Sequence, residues 1–358
     1  MNPTNISTEP GAHTLSEILS QPECWSACLR KLASSAEFQT AVGRARPGAE
    51  WIFVGCGTSY YLALAAASAF NHVGLAARAV PGSEVLLYPA LSLPPGREYT
   101  PVIISRSGRT SEAVRAARLL ENERNLRTIA ITCADGQALE AESSLTLKLL
   151  DADEQSTVMT RSFTSMLLGL QYLAAKIAGD QQLGEAIMKL PEEAAPLLED
   201  NPQQLRLFVE SRSFEDCIFL AQGRLFGIAS ECMLKVTESS CTYAQVFHSL
   251  EFRHGPKSIV GPDTLITFLM SESSYDAELE LLQEMKDLGA GTLVVANRLE
   301  ARAECAADFA IELGLSVPEF ARPAAYTIWG QLYGVYNGLK KGLNPDSPKN
   351  LTRVVELE

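Results

Sequence analysis

Two stretches of this chain read as copies of each other. Cys217-Ile-Phe-Leu-Ala-Gln-Gly223 repeats Trp51-Ile-Phe-Val-Gly-Cys-Gly57. At the same displacement, the run Leu265–Asp276 repeats Tyr99–Thr110, and Thr292–Asn297 repeats Thr128–Cys133 close to that register. Each matched run has an apolar stretch and ends in small or polar residues, and a helical pattern follows the first two. A short apolar run bounded by turn residues reads as a buried strand. Strands alternating with helices imply a parallel sheet covered on both faces. The pattern therefore predicts a tandem duplication of one α/β domain. The division expected is an N-terminal tail with helices over residues 1–45, a first domain over 46–180, a helical linker over 181–211, a second domain over 212–341 and a C-terminal tail over 342–358.

In the first copy, strands are expected over Glu50–Gly55, Ala76–Pro81, Val102–Ile104, Arg127–Thr132 and Leu145–Leu150. Helices are expected over Tyr60–Phe70, Gly136–Ser143 and Ser162–Ala178. Residues 1–13 read as a loose tail, and Pro22 interrupts helical spacing from Leu15 to Leu32. In the second copy, residues 230–252 read as helix, turn, helix, and residues 322–339 as a long amphipathic helix with Trp329, Leu332 and Val335 on one side.

The copies differ at the end of the third strand. The first carries Ser105-Arg106-Ser107-Gly108-Arg109-Thr110-Ser111-Glu112. A strand that ends in hydroxyl residues and opens a helix makes an anion site, because first-turn N–H groups are unpaired and the helix dipole favours negative charge. Ser105, Ser107, Thr110 and Ser111 add hydroxyl donors, and Gly108 permits close backbone approach. The alternative is an ordinary capping cluster in which Ser107 is the N-cap and Glu112 lies near the first turn. In the second copy Glu272 stands at the place of Arg106, and a carboxylate there repels an anion. The duplicate is thus an internal control for the phosphate reading.

Composition narrows the partners. The 358 residues are 46% hydrophobic and 20% charged, with a formal net charge of −13. That balance argues for a large core and against nucleic acid or an anionic membrane surface as partner. No apolar run is long enough to span a bilayer, and residues 1–10 do not resemble a signal peptide. The eight cysteines are scattered without a CxxC pair, and Cys56, Cys217 and Cys232 lie in apolar surroundings. They read as free buried thiols in a reducing cytoplasm. No metal or cofactor is implied.

Chemistry concentrates in the second half. Glu231, Lys235 and Glu238 are helix-spaced, and Ser239-Ser240-Cys241 suggests that this helix ends at a cleft. Glu251-Phe-Arg-His254-Gly-Pro256 places three ionisable groups beside a turn. His254 is the candidate acid/base, since histidine titrates near neutrality, with Glu238 its carboxylate partner. His13, His72 and His248 read as structural. Residues 342–358 contain turn chemistry at Asn344-Pro345-Asp346 and an apolar Val354-Val355 pair, which suggests an ordered tail; a frayed terminus is the plainer reading.

Taken together, Gly57-Thr58-Ser59, Ser105-Arg106-Ser107-Gly108-x-Thr110, Glu238 with Arg253-His254-Gly255-Pro256, and Asn344-Pro345-Asp346-Ser-Pro-Lys-Asn350-Leu resemble the sugar isomerase (SIS) family. The resemblance runs from about residue 15 onward and is strongest to the isomerase half of glucosamine-6-phosphate synthase and to stand-alone deaminases of glucosamine 6-phosphate. It implies two tandem SIS domains of flavodoxin-like topology, usually in a homodimer, acting on a sugar phosphate. Gly57, Thr58, Ser59, Ser105, Arg106, Ser107 and Thr110 then match residues that hold the phosphate, and Thr157 to Thr160 match a loop lining that pocket. Glu238 matches the group that moves a proton between C1 and C2. His254 matches a histidine that assists ring opening from the neighbouring subunit. The tail is implied to dock at the active site.

Two departures bear on the reaction. Arg353 stands where the synthase has a lysine that forms a Schiff base. A guanidinium stays protonated and is no nucleophile, and Lys349 is off register. No glutamine amidohydrolase segment is visible, and residue 2 is Asn where the nucleophilic cysteine is expected, so glutamine-driven amination is not anticipated. The leading expectation is an amino-sugar-phosphate deaminase/isomerase. The alternatives are a deglycase acting on fructosamine-type 6-phosphates and a non-catalytic phosphosugar sensor.

Overall fold

Each apolar run of four to six residues becomes a strand of one of two parallel five-stranded sheets, in a computed structural model that describes residues 9–357. The first sheet holds β1 (Glu50–Gly55), β2 (Ala77–Pro81), β3 (Tyr99–Ile104), β4 (Ile129–Thr132) and β5 (Leu145–Lys148) in the order β2-β1-β3-β4-β5. The second holds β6 (Asp216–Ala221), β7 (Tyr243–His248), β8 (Thr264–Leu269), β9 (Gly291–Ala296) and β10 (Phe309–Glu312), in the equivalent order β7-β6-β8-β9-β10. Helices cover both faces of each sheet, so this is an α/β architecture of the doubly wound, flavodoxin-like kind.

Strand side chains alternate between two cores, as the two-residue period requires. Trp51 and Phe53 of β1 and Cys217 and Phe219 of β6 enter one large cluster built from both halves of the chain. Ile52 and Val54 point to the outer core of the first sheet, and Ile218 and Leu220 to that of the second. The helices Thr58–His72, Arg161–Ala178, Phe226–Ser240 and Pro323–Lys340 supply residues to the shared cluster.

Four expectations are corrected. The chain after Ser240 is not a second helix. Cys241 takes a left-handed conformation (φ 49°) that stops the helix, and Tyr243–His248 pairs in parallel with β6 at the sheet edge. Aromatic and β-branched residues favour that strand. Residues 136–143 hold only a short helix at Ala138–Ala141. The N-terminal tail is shorter than expected, because a helix starts at Ala12; residues 1–8 lie outside the described residues. Asp346, from the far end of the chain, accepts the N–H groups of His13 (3.2 Å) and Thr14 (2.8 Å) in its first turn.

The fourth correction concerns Pro323–Lys340, which is buried almost all round and is not amphipathic. It packs on Phe226–Ser240 through Gly330, Gly334 and Gly338. A Cβ on Gly334 would lie 2.8 Å from the carbonyl oxygen of Lys235, and one on Gly338 would lie 2.2 Å from that of Ser239. Such glycines cost helix propensity and are kept where backbones touch. Gly338→Ala is therefore expected to destabilise the fold by about 1–3 kcal/mol, measured by urea unfolding, although alanine is the better helix former. The close approach fixes the position of the Phe226–Ser240 helix, which carries Glu238.

All eight cysteines are free. Cys217 and Cys232 are buried, whereas Cys56 is only partly so. Among the described residues no helix is long and apolar enough to cross a membrane.

Candidate active site

β1 and β3 are neighbours at the centre of their sheet, and the turns that follow them meet. After β1 the chain passes Cys56 and Gly57, a glycine at φ 56°, into the Thr58–His72 helix. After β3 it passes Ser105–Thr110 into the Ser111–Arg118 helix. Gly108 sits at φ 63°, and a Cβ there would meet Gln137 at 2.8 Å, so only glycine fits without displacement. The helix starts at Ser111, with Thr110 at the N-cap position and no side-chain cap. Ser107 is not the cap. Its Oγ accepts the N–H of Arg109 (3.2 Å) in a local turn, and Ser105 Oγ donates to Thr110 Oγ1 (3.3 Å).

A cavity of about 210 Å³ opens over these turns. Gly57, Thr58, Ser59, Arg106, Ser107, Thr110, Thr157, Glu238 and Arg353 all line it. Three of the expected site residues do not. Ser105 is buried beneath the turn. Thr160 is buried and donates both its N–H and its hydroxyl to Glu154 (2.6 and 2.7 Å). His254 is exposed on the loop after β7, away from this cavity.

The second half contributes a row of ionisable groups. Glu231, Lys235 and Glu238 fall on one face of the Phe226–Ser240 helix, turned toward the first half. Lys235 is 1% exposed. Its Nζ lies 2.5 Å from Glu238 Oε2, 3.3 Å from Glu231 Oε1 and 3.1 Å from Thr58 Oγ1. Burial pushes Glu231 up to about 8, against the pull of the Lys235 ammonium. Burial also works against a charge on Lys235, but the Glu231 and Glu238 carboxylates outweigh it and hold the ammonium above its usual range. Lys235 is therefore a donor and a fixed positive charge, not a free amine.

Glu231 and Lys235 were not singled out as site residues from the sequence, although their spacing was visible there. What the spacing lacked was the direction in which the face points. Arg106, in turn, is more occupied than its place in the turn suggests. Its guanidinium is paired with Glu154 (3.3 Å) and donates to the carbonyls of Thr157 (3.0 Å) and Arg353 (2.7 Å). Arg353 extends its own guanidinium to Asp153 (2.5 Å).

The matching place in the second half has different chemistry. The Glu272 carboxylate is bound by Arg322, and the Glu272 N–H donates to Glu319 (2.8 Å). The adjoining cavity of about 680 Å³ is lined by Glu272, Asp276 and Glu300 with Arg298. That lining is unsuited to an anion. Among the described residues no group of three or more His, Cys, Asp or Glu side chains is placed to hold a metal ion.

Comparisons with known proteins find chains of similar sequence and fold. Residues 50–176 match the model of the SIS domain. The glutamine–fructose-6-phosphate aminotransferase (isomerizing) of Pyrobaculum aerophilum is 27% identical over 96% of this chain and 57% of its own length. The chain spans about half the length of the curated relatives it matches. The crystal structure of glucosamine-6-phosphate deaminase from Thermotoga maritima is 29% identical, with a TM-score of 0.75 over 96% of this chain and all of that one. Tagatose-6-phosphate ketose/aldose isomerase from Escherichia coli shares the fold, with a TM-score of 0.82 at 22% identity over 97% of this chain and 96% of its own.

Proposed function

We propose, from the premise that residues 50–176 are a SIS domain, that this chain is a phosphosugar isomerase of the amino-sugar deaminase type. The observation that carries the proposal is the placement of Glu238, held by Lys235, in the same cavity as the hydroxyl-rich turns. In this reading the hydroxyls of Ser59, Ser107 and Thr110, at the positive ends of the two helices, bind the phosphate of the substrate. Glu238 takes the proton from C2 of the open-chain amino-aldose and returns it to C1. Water then hydrolyses the ketimine, releasing ammonia and a ketose phosphate. Lys235 holds the Glu238 carboxylate in place and provides a fixed charge beside it.

No amine in the cavity suits a Schiff base. Lys235 is protonated, Lys349 is not part of the lining, and Arg353 replaces the expected lysine. Acid–base chemistry alone is proposed. His254 is exposed and lies outside the cavity of its own chain, which fits a role in ring opening at the site of a second copy in a homodimer. The eight free thiols suit a reducing cytoplasm. The pairing of Arg353 with Asp153 favours one further reading, deglycation of fructosamine 6-phosphates, because that chemistry also proceeds without a lysine adduct.

Incubation with glucosamine 6-phosphate, with fructose 6-phosphate plus ammonia and with fructosyl-amino-acid 6-phosphates separates these readings. Ammonia release from the first and amino-sugar formation from the second are expected. Turnover of the third alone would replace the deaminase with the deglycase.

A further inference from the structure

The loop after β5 and the C-terminal tail are joined through one buried ion pair. Glu154 is 2% exposed and Arg106 5%. One carboxylate oxygen of Glu154 accepts the N–H and hydroxyl of Thr160 and the N–H of Ser162 (2.6, 2.7 and 3.1 Å). The other accepts the Ser162 hydroxyl (2.5 Å) and the Arg106 guanidinium (3.3 Å). Glu154 thus pins both the loop and the first turn of the Arg161–Ala178 helix. From that anchor the guanidinium reaches the carbonyls of Thr157 and Arg353. Two residues farther along the tail, the Val355 carbonyl accepts the N–H of Ser111 (3.2 Å). Tail residues Thr352–Val355, which form one wall of the cavity, are held at these two points, by the Arg353–Asp153 pair and, farther on, by the Leu357 N–H on the Ser111 hydroxyl (2.8 Å).

The geometry points to a clasp. Arg106 and Glu154 are positioning residues that dock the tail over the cavity, and the Arg106 guanidinium is not the principal ligand of the substrate phosphate. The inference deepens the function proposed above and rests on it only for the identity of the ligand. The clasp needs a planar fork whose nitrogens bond a carboxylate on one side and two carbonyls on the other. A lysine ammonium matches the charge but not that geometry. The phosphate is left to hydroxyls at the positive ends of the two helices, in keeping with a turn of four hydroxyls and a glycine.

The experiment follows the tail directly, with no substrate present. Trypsin cleavage after Lys349 and Arg353 is timed in the full chain and in Arg106→Lys and Glu154→Gln. Charge-assisted hydrogen bonds of this kind make local opening on the order of tenfold to a hundredfold more frequent when lost, so cleavage accelerates by that factor in both variants. Inorganic phosphate affinity, read by calorimetry, changes less than about threefold in Arg106→Lys. In a chain ending at Leu351, Arg106→Lys adds nothing to the loss that truncation causes, because the partner of the clasp is gone. Unchanged cleavage in both variants overturns the proposal, as does a tenfold loss of phosphate affinity in Arg106→Lys. Accelerated cleavage in a protein that turns over no sugar phosphate leaves the clasp standing and removes the proposed activity.

Discussion

Glu238→Gln lowers turnover of the sugar phosphate by about a hundredfold to ten-thousandfold, the contribution usual for a positioned acid/base. The substitution keeps shape and a hydrogen-bond acceptor for Lys235 but removes the group that can take and return a proton. Phosphate binding depends on turns from the other half of the chain, so substrate affinity changes little. Steady-state kinetics paired with calorimetry reads both quantities. A variant with full activity would sink the assignment and pass the acid/base role to another group. Equal losses in affinity and turnover would instead make Glu238 a binding group.

Lys235→Met is expected to have the largest effect on stability. It leaves Glu231 and Glu238 without the cation between them, and breaking a buried pair by removing one partner costs about 3–5 kcal/mol. The loss depends on pH. The folded-state value of Glu231 is pushed up to about 8 from a reference of 4.5. A raised acid binds more protons folded than unfolded between those values, so its stabilising contribution is complete below about 4.5 and disappears as pH rises through 8. Without Lys235 the same group is pushed up further. The gap between wild type and Lys235→Met therefore stays level from pH 5 to pH 7, where Glu231 is protonated in both folded proteins, and widens above pH 8 in urea unfolding. Adding Glu231→Gln removes most of that widening. A gap of equal size at pH 6 and pH 9 would mean that the lost side-chain packing, not charge, sets the cost.

Much of this fold was legible because its signals are local. Trp51–Val54 and Val102–Ile104 are short apolar runs closed by glycine or serine, and such runs become central strands, the second extended by three residues to Tyr99. β7 was missed because an edge strand is only half-buried and follows a helix without a proline or glycine between them. The Pro323–Lys340 helix was misjudged for a different reason. Its glycines mark a backbone contact whose partner is far off in sequence. The same distance hid the site's charge pairing. Arg106 looks like an anion ligand until Glu154 is seen beside it, and the inward turn of Lys235 depends on how two helices cross. His254 was chosen for its chemistry alone, and it lies exposed on the loop after β7, outside the lining of the cavity.

Thr58 donating toward Glu231 and accepting from Lys235 is a small contact, yet it joins the two repeats of the chain. Carried back by the displacement of the repeat, the positions of Glu231, Lys235 and Glu238 fall on Ala65, Ala69 and His72 of the first copy. Carried forward, Arg106 and Gly108 fall on Glu272 and Ser274. Each half lacks residues that the other carries, and in the proposed function one grips while the other reacts. Such division of labour binds the halves as an inheritance. Neither can be exchanged for a second copy of its twin, for two first halves would hold a ligand idle and two second halves would have nothing with which to hold it.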